Sequence, residues 1–178
     1  KRCSTHPQTT VPAVYPSDRM TESSARPPRL PCPAEPYLPH AAPMALIDRV
    51  LAFAGDEIVA ELQIRPDSMF VEDGAVPAWV GIEYMAQTIG SYAGLQATAA
   101  GEAVKKGFLL GSRDLRLLTE SFPVGQTLTV RAHKLTLDSN GLGSFDCELL
   151  DGETRLAHGR LNVFQPENPD AMLEANRG

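Results

Sequence analysis

The sequence is poor in cysteine and in basic residues. Its three cysteines, Cys3, Cys32 and Cys147, are scattered and lack CxxC spacing, so neither a disulfide framework nor a zinc site is predicted. Sixteen Lys and Arg against 22 Asp and Glu give a net charge of −6, which argues against a nucleic-acid-binding protein. Residues 1–35 have no apolar run that could form a signal peptide. We therefore expect a cytoplasmic protein with reduced thiols.

Proline is concentrated near the beginning of the chain. Residues 1–36 contain eight of the 15 prolines and almost no apolar pattern, which is typical of a disordered or extended leader. Met20 lies inside this leader and is a candidate natural start. Residues 167–178 are again polar and predict a tail, with a short helical turn at most. The remaining residues, 37–166, are long enough to form one domain with a buried core.

The middle of the chain is almost free of charge. The 28 residues between Asp73 and Glu102 carry one charged side chain, Glu83. They predict a single helix over residues 77–100, begun by a proline and ended by Gly101. This helix is apolar on nearly all sides and is therefore expected to be buried. Its content of Gly, Ala, Ser, Thr and Gln favours a core helix over a membrane span.

Glu83 is the first candidate for a functional residue. A carboxylate inside an apolar helix is costly unless it is paired or neutral. Burial disfavours the charged form of a carboxyl, and the neutral form is what a general acid needs. The alternative is a carboxylate that bonds to a neighbour or lies at one wet edge of the helix. Gln87, one turn later on the same face, either orients this carboxyl or bonds to a strand carbonyl.

Strand patterns surround this helix. Two strands precede it, over residues 45–53 and 57–64, and the second alternates apolar and polar residues. Four or five antiparallel strands follow it, with hairpin turns at Asn140-Gly141 and Asp151-Gly152. They are predicted over residues 107–111, 115–118, 127–137, 142–150 and 154–164. One long apolar helix beside so much antiparallel strand must be wrapped by the sheet. The fold class is therefore α+β.

This element order is that of the hotdog fold, and two stretches resemble the 3-hydroxyacyl-acyl-carrier-protein dehydratases of bacterial fatty-acid synthesis. The family's opening Leu-Pro-His, followed by an apolar strand ending in Asp-Arg-Val, is similar to Leu38-Pro39-His40 and residues 44–50. The family's helix has a Pro six residues before a catalytic Glu and then Met-Ala-Gln. It is similar to Pro77, Glu83 and Met85-Ala86-Gln87.

The resemblance covers roughly residues 37–165 and is strongest to divergent dehydratase-like proteins of polyketide-type pathways such as aryl polyene synthesis. In the fatty-acid enzymes a Gly-His-Phe-Pro-Gly loop before the helix supplies the catalytic His. Residues 68–76 stand at that place and contain no His. If Phe70 matches the family's Phe, Met69 stands where the His should be. The resemblance thus implies Glu83 as the catalytic acid but does not supply the base.

His40 is the best candidate for the base, because it lies in sequence that matches the family and imidazole is the usual general base. The alternative is that His40 packs at the entrance of the site. The remaining candidates are predicted to be a leader residue, two surface residues on amphipathic strands, and a solvated loop carboxylate: His6, His133, His158 and Asp73.

Two further features complete the predicted site. The start of the helix near Pro77 and Ala78 offers backbone N–H groups and a positive dipole for the thioester oxygen, although any buried helix start would offer the same. A basic cluster follows the helix on an otherwise acidic protein. It would attract an acidic carrier protein and the phosphate of its phosphopantetheine arm, unless it is an ordinary solvated surface. Its members are Lys105, Lys106, Arg113 and Arg116.

The resemblance implies dehydration of 3-hydroxyacyl thioesters on an acyl carrier protein to trans-2-enoyl thioesters, without a metal or redox cofactor. Two alternatives stay open. One is a non-catalytic hotdog subunit that pairs with an active relative, supported by the missing loop His. The other is an acyl thioesterase that uses the helix carboxylate with water as the nucleophile. Unpaired sheet edges are normally covered, and the family implies a homodimer or heterodimer with sites between the subunits.

Overall fold

The computed structural model describes residues 28–168 and consists of a curved antiparallel sheet wrapped around one long helix. Residues 1–27 of the predicted leader and residues 169–178 of the predicted tail lie outside the described residues. The helix is α1 (Gly81–Ala99). The strands in chain order are β1 (Cys32–Pro33), β2 (Arg49–Ala54), β3 (Glu57–Gln63), β4 (Ala75–Pro77), β5 (Phe108–Leu117), β6 (Ser121–Pro123), β7 (Thr127–Leu137), β8 (Leu142–Asp151) and β9 (Thr154–Phe164).

Seven strands form the main sheet in the order β1-β2-β3-β7-β8-β9-β5, and β4 pairs with β6 in a small second sheet. All of these pairings are antiparallel. The alternating pattern buries one face of β3, β7, β8 and β9 against α1. This arrangement confirms the predicted α+β hotdog fold. No helix among residues 28–168 is long and apolar enough to cross a membrane.

The central helix is buried as predicted, but it begins later. Residues Ala78–Val80 form a 3-10 turn before α1. Pro77 has φ −57° and ψ 139°, so it ends β4 in an extended conformation and does not lie in the first helical turn. Gly101, with φ +74°, follows the last turn as predicted. The buried face of α1 carries the large side chains Tyr84, Met85, Ile89, Tyr92 and Leu95.

Folded structure begins on the N-terminal side of the predicted boundary at residue 37. Cys32 pairs with Val50 across β1 and β2, and Ala34 is fully buried. A 3-10 turn over Glu35–Tyr37 then passes close to α1. A Cβ on Gly94 would lie 2.1 Å from the carbonyl oxygen of Tyr37, so this crossing requires a glycine.

Candidate active site

A cleft lies between α1, the chain around His40 and the strands β5 and β9. Its volume is about 140 Å³. One wall is the helix face that carries Glu83, and the opposite wall is formed by the start of β5 and the end of β9. The lining residues are Pro39, His40, Glu83, Ala86, Gln87, Ile89, Gly90, Ala93, Lys105, Gly107, Phe108, Leu109, Val163, Phe164 and Gln165. The cleft therefore brings together the three polar residues that the sequence singles out as acid, base and orienting amide.

Glu83 lies in the first turn of α1 and is held by Gln87. The Gln87 side-chain amide donates to Glu83 Oε1 at 2.9 Å and to the Met44 carbonyl at 2.8 Å. Its Oε1 accepts from the Leu46 backbone N–H at 2.8 Å. Gln87 is 1% exposed, so its rotamer is fixed by three bonds. Both alternatives for Gln87 are therefore present at once: it contacts the carboxyl and also a backbone carbonyl.

Glu83 is less buried than the sequence predicts. The side chain is partly exposed because it borders the cleft, while its helical neighbours Tyr84 and Met85 are buried. The Gln87 contact occupies Oε1 and leaves Oε2 available to a substrate. The carboxyl therefore bonds to a neighbour and also borders the cleft.

His40 borders the same cleft. The side chain is partly buried, and its Nδ1 is buried without a hydrogen-bond partner in the described part of the chain. Buried polar atoms in folded proteins almost always have a partner. The Nδ1 of His40 is one of three such unpartnered side-chain atoms among the described residues.

A second cleft of about 280 Å³ continues the first one along α1. The two share Ile89, Ala93, Lys105, Val163 and Gln165. Gln165 donates to the Lys105 carbonyl at 3.1 Å and so joins the end of β9 to the segment after α1. The part of the second cleft that the first one does not share contains Tyr92 and Gln96. Together the clefts form a long groove with small side chains on the helix side, a feature that sequence reasoning missed although Ala86, Gly90, Ala93 and Ala97 recur at helical spacing.

The loop that should carry the family's His lies elsewhere. Met69 borders a separate cleft with Leu46 and Tyr84, and it does not line the cleft of Glu83. Tyr84 is 2% exposed, and burial raises the pKa of its hydroxyl to about 12. Within residues 28–168, His40 is the histidine that borders the Glu83 cleft.

The predicted oxyanion donors at Pro77 and Ala78 are wrong. Pro77 has no N–H, and the Ala78 N–H donates to the Glu120 carbonyl at 2.9 Å. Neither residue lines the cleft. The Ala78 N–H that was predicted to bind the thioester oxygen is therefore already bonded to the segment before β6. The two bonded residues are 42 positions apart in the chain.

The basic residues divide into two groups. Lys105 lines both clefts and pairs with Glu102 at 3.5 Å, and the neighbouring Lys106 is exposed. Arg113 and Arg116 are exposed on β5, opposite Arg160 and His158 of β9. The other predicted surface residues are exposed or face outward, namely His133, His158 and Asp73. His6 is outside the described residues.

No group of three or more His, Cys, Asp or Glu side chains within residues 28–168 could hold a metal ion. Cys32 and Cys147 are both free thiols, and burial raises the pKa of Cys147 to about 12. The site is therefore described by its acid, imidazole and amide groups.

Comparison with known proteins supports a dehydratase. The model of the ApeP-like family, described as ApeP dehydratase, matches residues 32–174. A chain of the dehydratase heterocomplex ApeI:P from Xenorhabdus doucetiae superimposes with a TM-score of 0.76 at 32% identity, covering 83% of this chain and 99% of that chain. The predicted resemblance to dehydratases of the aryl-polyene type is confirmed.

More distant structures share the fold. A Streptococcus mutans protein bound to acetyl-CoA has a TM-score of 0.51 at 14% identity, covering 67% of this chain and 87% of its own. The PaaI protein from the phenylacetic acid degradation operon of E. coli has a TM-score of 0.51 at 15% identity, covering 67% and 83%. At these identities the likeness extends to the fold alone.

Proposed function

The chain belongs to the ApeP-like family of dehydratases, and we propose that its substrates are 3-hydroxyacyl thioesters carried on an acyl carrier protein, with Glu83 as the general acid. One observation carries the assignment: Glu83, fixed by Gln87 through a 2.9 Å hydrogen bond, shares a mostly apolar cleft with the side chain of His40. The pathway is polyketide-type biosynthesis such as aryl polyene synthesis.

In this mechanism His40 removes a proton from C2 of the substrate, and Glu83 protonates the departing hydroxyl on C3. A C2–C3 double bond forms and one water molecule leaves. His40 gains one proton and Glu83 loses one, so the total number of protons on the pair is unchanged. Proton exchange with solvent then returns both side chains to their starting protonation states. A general base must lie within reach of the substrate, and the position of His40 in the wall of the Glu83 cleft supports this role.

The carrier protein would approach over the basic residues near the groove. Lys105 borders the cleft itself, where its charge could contact the phosphate of the phosphopantetheine arm. Lys106, Arg113 and Arg116 extend the positive surface toward β5. The protein's remaining surface is acidic, so a local positive area would orient an acidic carrier. The free thiols Cys32 and Cys147 are consistent with a cytoplasmic location.

A second hotdog subunit would complete the site. Strand β5 is the outer strand of the main sheet, so one row of its backbone groups lacks a strand partner in the described chain. The first residues of β5, Phe108 and Leu109, form part of the cleft wall. A partner pairing with β5 would cover this edge and border the cleft. The Xenorhabdus relative is part of a heterocomplex, which favours a different hotdog chain as the partner.

A non-catalytic role beside an active partner is the second candidate function. If Phe70 matches the family's Phe, Met69 stands at the position of the loop His, and Met69 borders a different cleft. If the partner carried both the acid and the base, this chain would only shape the groove, and purified protein would be inactive until the partner is added.

Replacing Glu83 by Gln tests the proposed function. Glu83→Gln keeps the shape of the side chain but cannot donate a proton, and general acid catalysis contributes ~10²–10⁴ in rate. We expect hydration of a trans-2-enoyl carrier substrate, measured with and without the second hotdog subunit, to fall at least ~100-fold. Glu153→Gln, in the exposed turn before β9, is the matched control and should retain full activity.

Unchanged turnover in Glu83→Gln would refute the mechanism. Loss of folding in that variant, seen in the thermal melt, would instead identify Glu83 as a structural carboxylate. Activity of the wild type only after the partner is added, insensitive to Glu83→Gln, would favour the non-catalytic role.

A further inference from the structure

Two aromatic side chains are exposed together beside the start of the central helix. Trp79, the single tryptophan of the sequence, is 59% exposed, and Phe70 is 37% exposed. Their rings lie 5.8 Å apart in an edge-to-face arrangement. Large aromatic side chains are enriched at the centres of protein interfaces, where they supply most of the binding energy. This aromatic pair, Phe70 and Trp79, has no role in the cleft of Glu83.

The backbone holds the pair in place. Phe70 has φ +66°, a conformation that is unusual for a bulky residue and costs free energy. The neighbouring Asp73 and Gly74 also have positive φ, at +50° and +80°. Trp79 is fixed by the 3-10 turn Ala78–Val80, which the Ala78–Glu120 backbone bond anchors. A strained loop that presents an aromatic ring to solvent is more readily explained by binding than by folding.

The aromatic pair continues the open edge of the main sheet. Strand β5 ends at Leu117, and the next residue, Leu118, is 58% exposed. Two residues later the carbonyl of Glu120 accepts the bond from Ala78, the neighbour of Trp79. Three residues span at most about 10 Å, so the end of β5 lies near Trp79. A chain that pairs with β5 would reach the aromatic pair with the same surface.

The charges around the pair select among possible occupants. Glu72 and Asp73 follow Phe70 and are exposed, and Glu120 is exposed beside Ala78. Within five positions of either aromatic residue along the chain, the one cation is Arg65, and Asp48 already binds it at 2.9 Å. Arg116, one residue before the end of β5, adds a single positive charge against these three carboxylates. An acidic carrier protein would be repelled from such a rim. A second copy of this chain, placed with the same patch across a twofold axis, would oppose carboxylate to carboxylate.

We propose that the aromatic pair Phe70–Trp79, with its rim of Glu72, Asp73 and Glu120, docks a different hotdog subunit that presents an apolar pocket edged by Lys or Arg. This inference rests on the pairing of β5 with a second hotdog subunit proposed above. It adds the residues that favour a heterocomplex over a homodimer. The positive surface near Lys105 and this acidic surface then receive different partners.

Trp79 offers a direct readout, because the sequence contains one tryptophan. The chain is labelled with 5-fluorotryptophan and mixed with the ApeI component of the Xenorhabdus heterocomplex. We expect the single fluorine resonance to shift when the complex forms. Trp79→Ala should weaken the association measured by calorimetry at least ~10-fold, as truncation of an interface anchor does. Leu135→Ala, which removes an exposed apolar side chain from β7, is the control and should change it less than ~2-fold.

The rim is tested separately by the double change Glu72→Gln and Asp73→Asn. Asn tolerates the positive φ of position 73, so the loop is retained while two charges are removed. We expect slower association and a weaker dependence on salt. A complex that forms without moving the fluorine resonance, or that Trp79→Ala leaves intact, would overturn the inference and leave the pairing in place. Failure of the wild type to associate would overturn both, while the Glu83→Gln test of the dehydration would stand.

Discussion

Gln87 is the residue that joins the two sequence motifs in space. Its amide contacts Glu83 on the helix and the backbone of Met44 and Leu46, in the segment after Leu38-Pro39-His40. The i, i+4 spacing of Glu83 and Gln87 makes their contact predictable from the sequence. The bonds to Met44 and Leu46 cross more than 40 residues and could not be read from spacing. For the same reason the Ala78–Glu120 bond was missed and the oxyanion prediction failed.

His40 allows the sharpest prediction at the residue scale. Its side chain lines the Glu83 cleft, and loss of a general base costs ~10²–10⁴ in rate. We expect His40→Ala to lower kcat for dehydration at least ~100-fold while circular dichroism stays unchanged. His158→Ala, on the outward face of β9, should behave like the wild type. Full activity of His40→Ala would show that another group is the base.

At the scale of elements, prediction depended on how local the signal was. Strands β7 and β9 have the predicted bounds, because alternation over eleven residues and glycine turns are local patterns. β4 and β6 were missed, since each has three residues and is ordered only by pairing with the other. Residues 107–111 and 115–118 were predicted as separate strands but form one strand, β5. Its pairing with β9 shifts register twice, and these irregularities interrupt the alternation of apolar and polar residues.

The helix also sets the length of the groove. Ten residues separate Glu83 from Ala93, or about 15 Å of helix, which an extended chain covers with roughly 12 bonds. Ala93 lines both clefts, so Ala93→Leu should obstruct the passage between them. We expect the ratio of kcat/KM for a long 3-hydroxyacyl thioester to that for a four-carbon one to fall at least ~10-fold. Ala99→Leu, at the exposed end of α1, should keep the ratio. An unaltered ratio in Ala93→Leu would exclude this groove as the acyl site.

For the whole molecule, composition did not locate the start of the fold, because the predicted leader over residues 1–36 includes strand β1. Proline content marks residues 1–36 as one segment, yet Cys32 and Ala34 belong to the folded part. The predicted start of the fold lies too late because a strand of two residues, such as β1, leaves no periodic pattern in the sequence. Their order comes from contacts with β2 and with the helix, which are distant along the chain.

Two truncations test the predicted leader: one removes residues 1–27 and the other removes residues 1–36. A chain that begins at residue 28 keeps every described contact, and we expect its melting temperature to match that of the full chain. A chain that begins at Tyr37 loses the Ala34–Asp48, Tyr37–Ala34 and Leu38–Glu35 backbone hydrogen bonds, each contributing about 1 kcal/mol, together with the β1–β2 pairing. For a domain of this size the loss of these three bonds lowers the melting temperature by about 6–12 °C, measurable by calorimetry. Equal melting of all three chains would place the boundary at residue 37, and destabilisation by the first truncation would show that residues 1–27 take part in the fold.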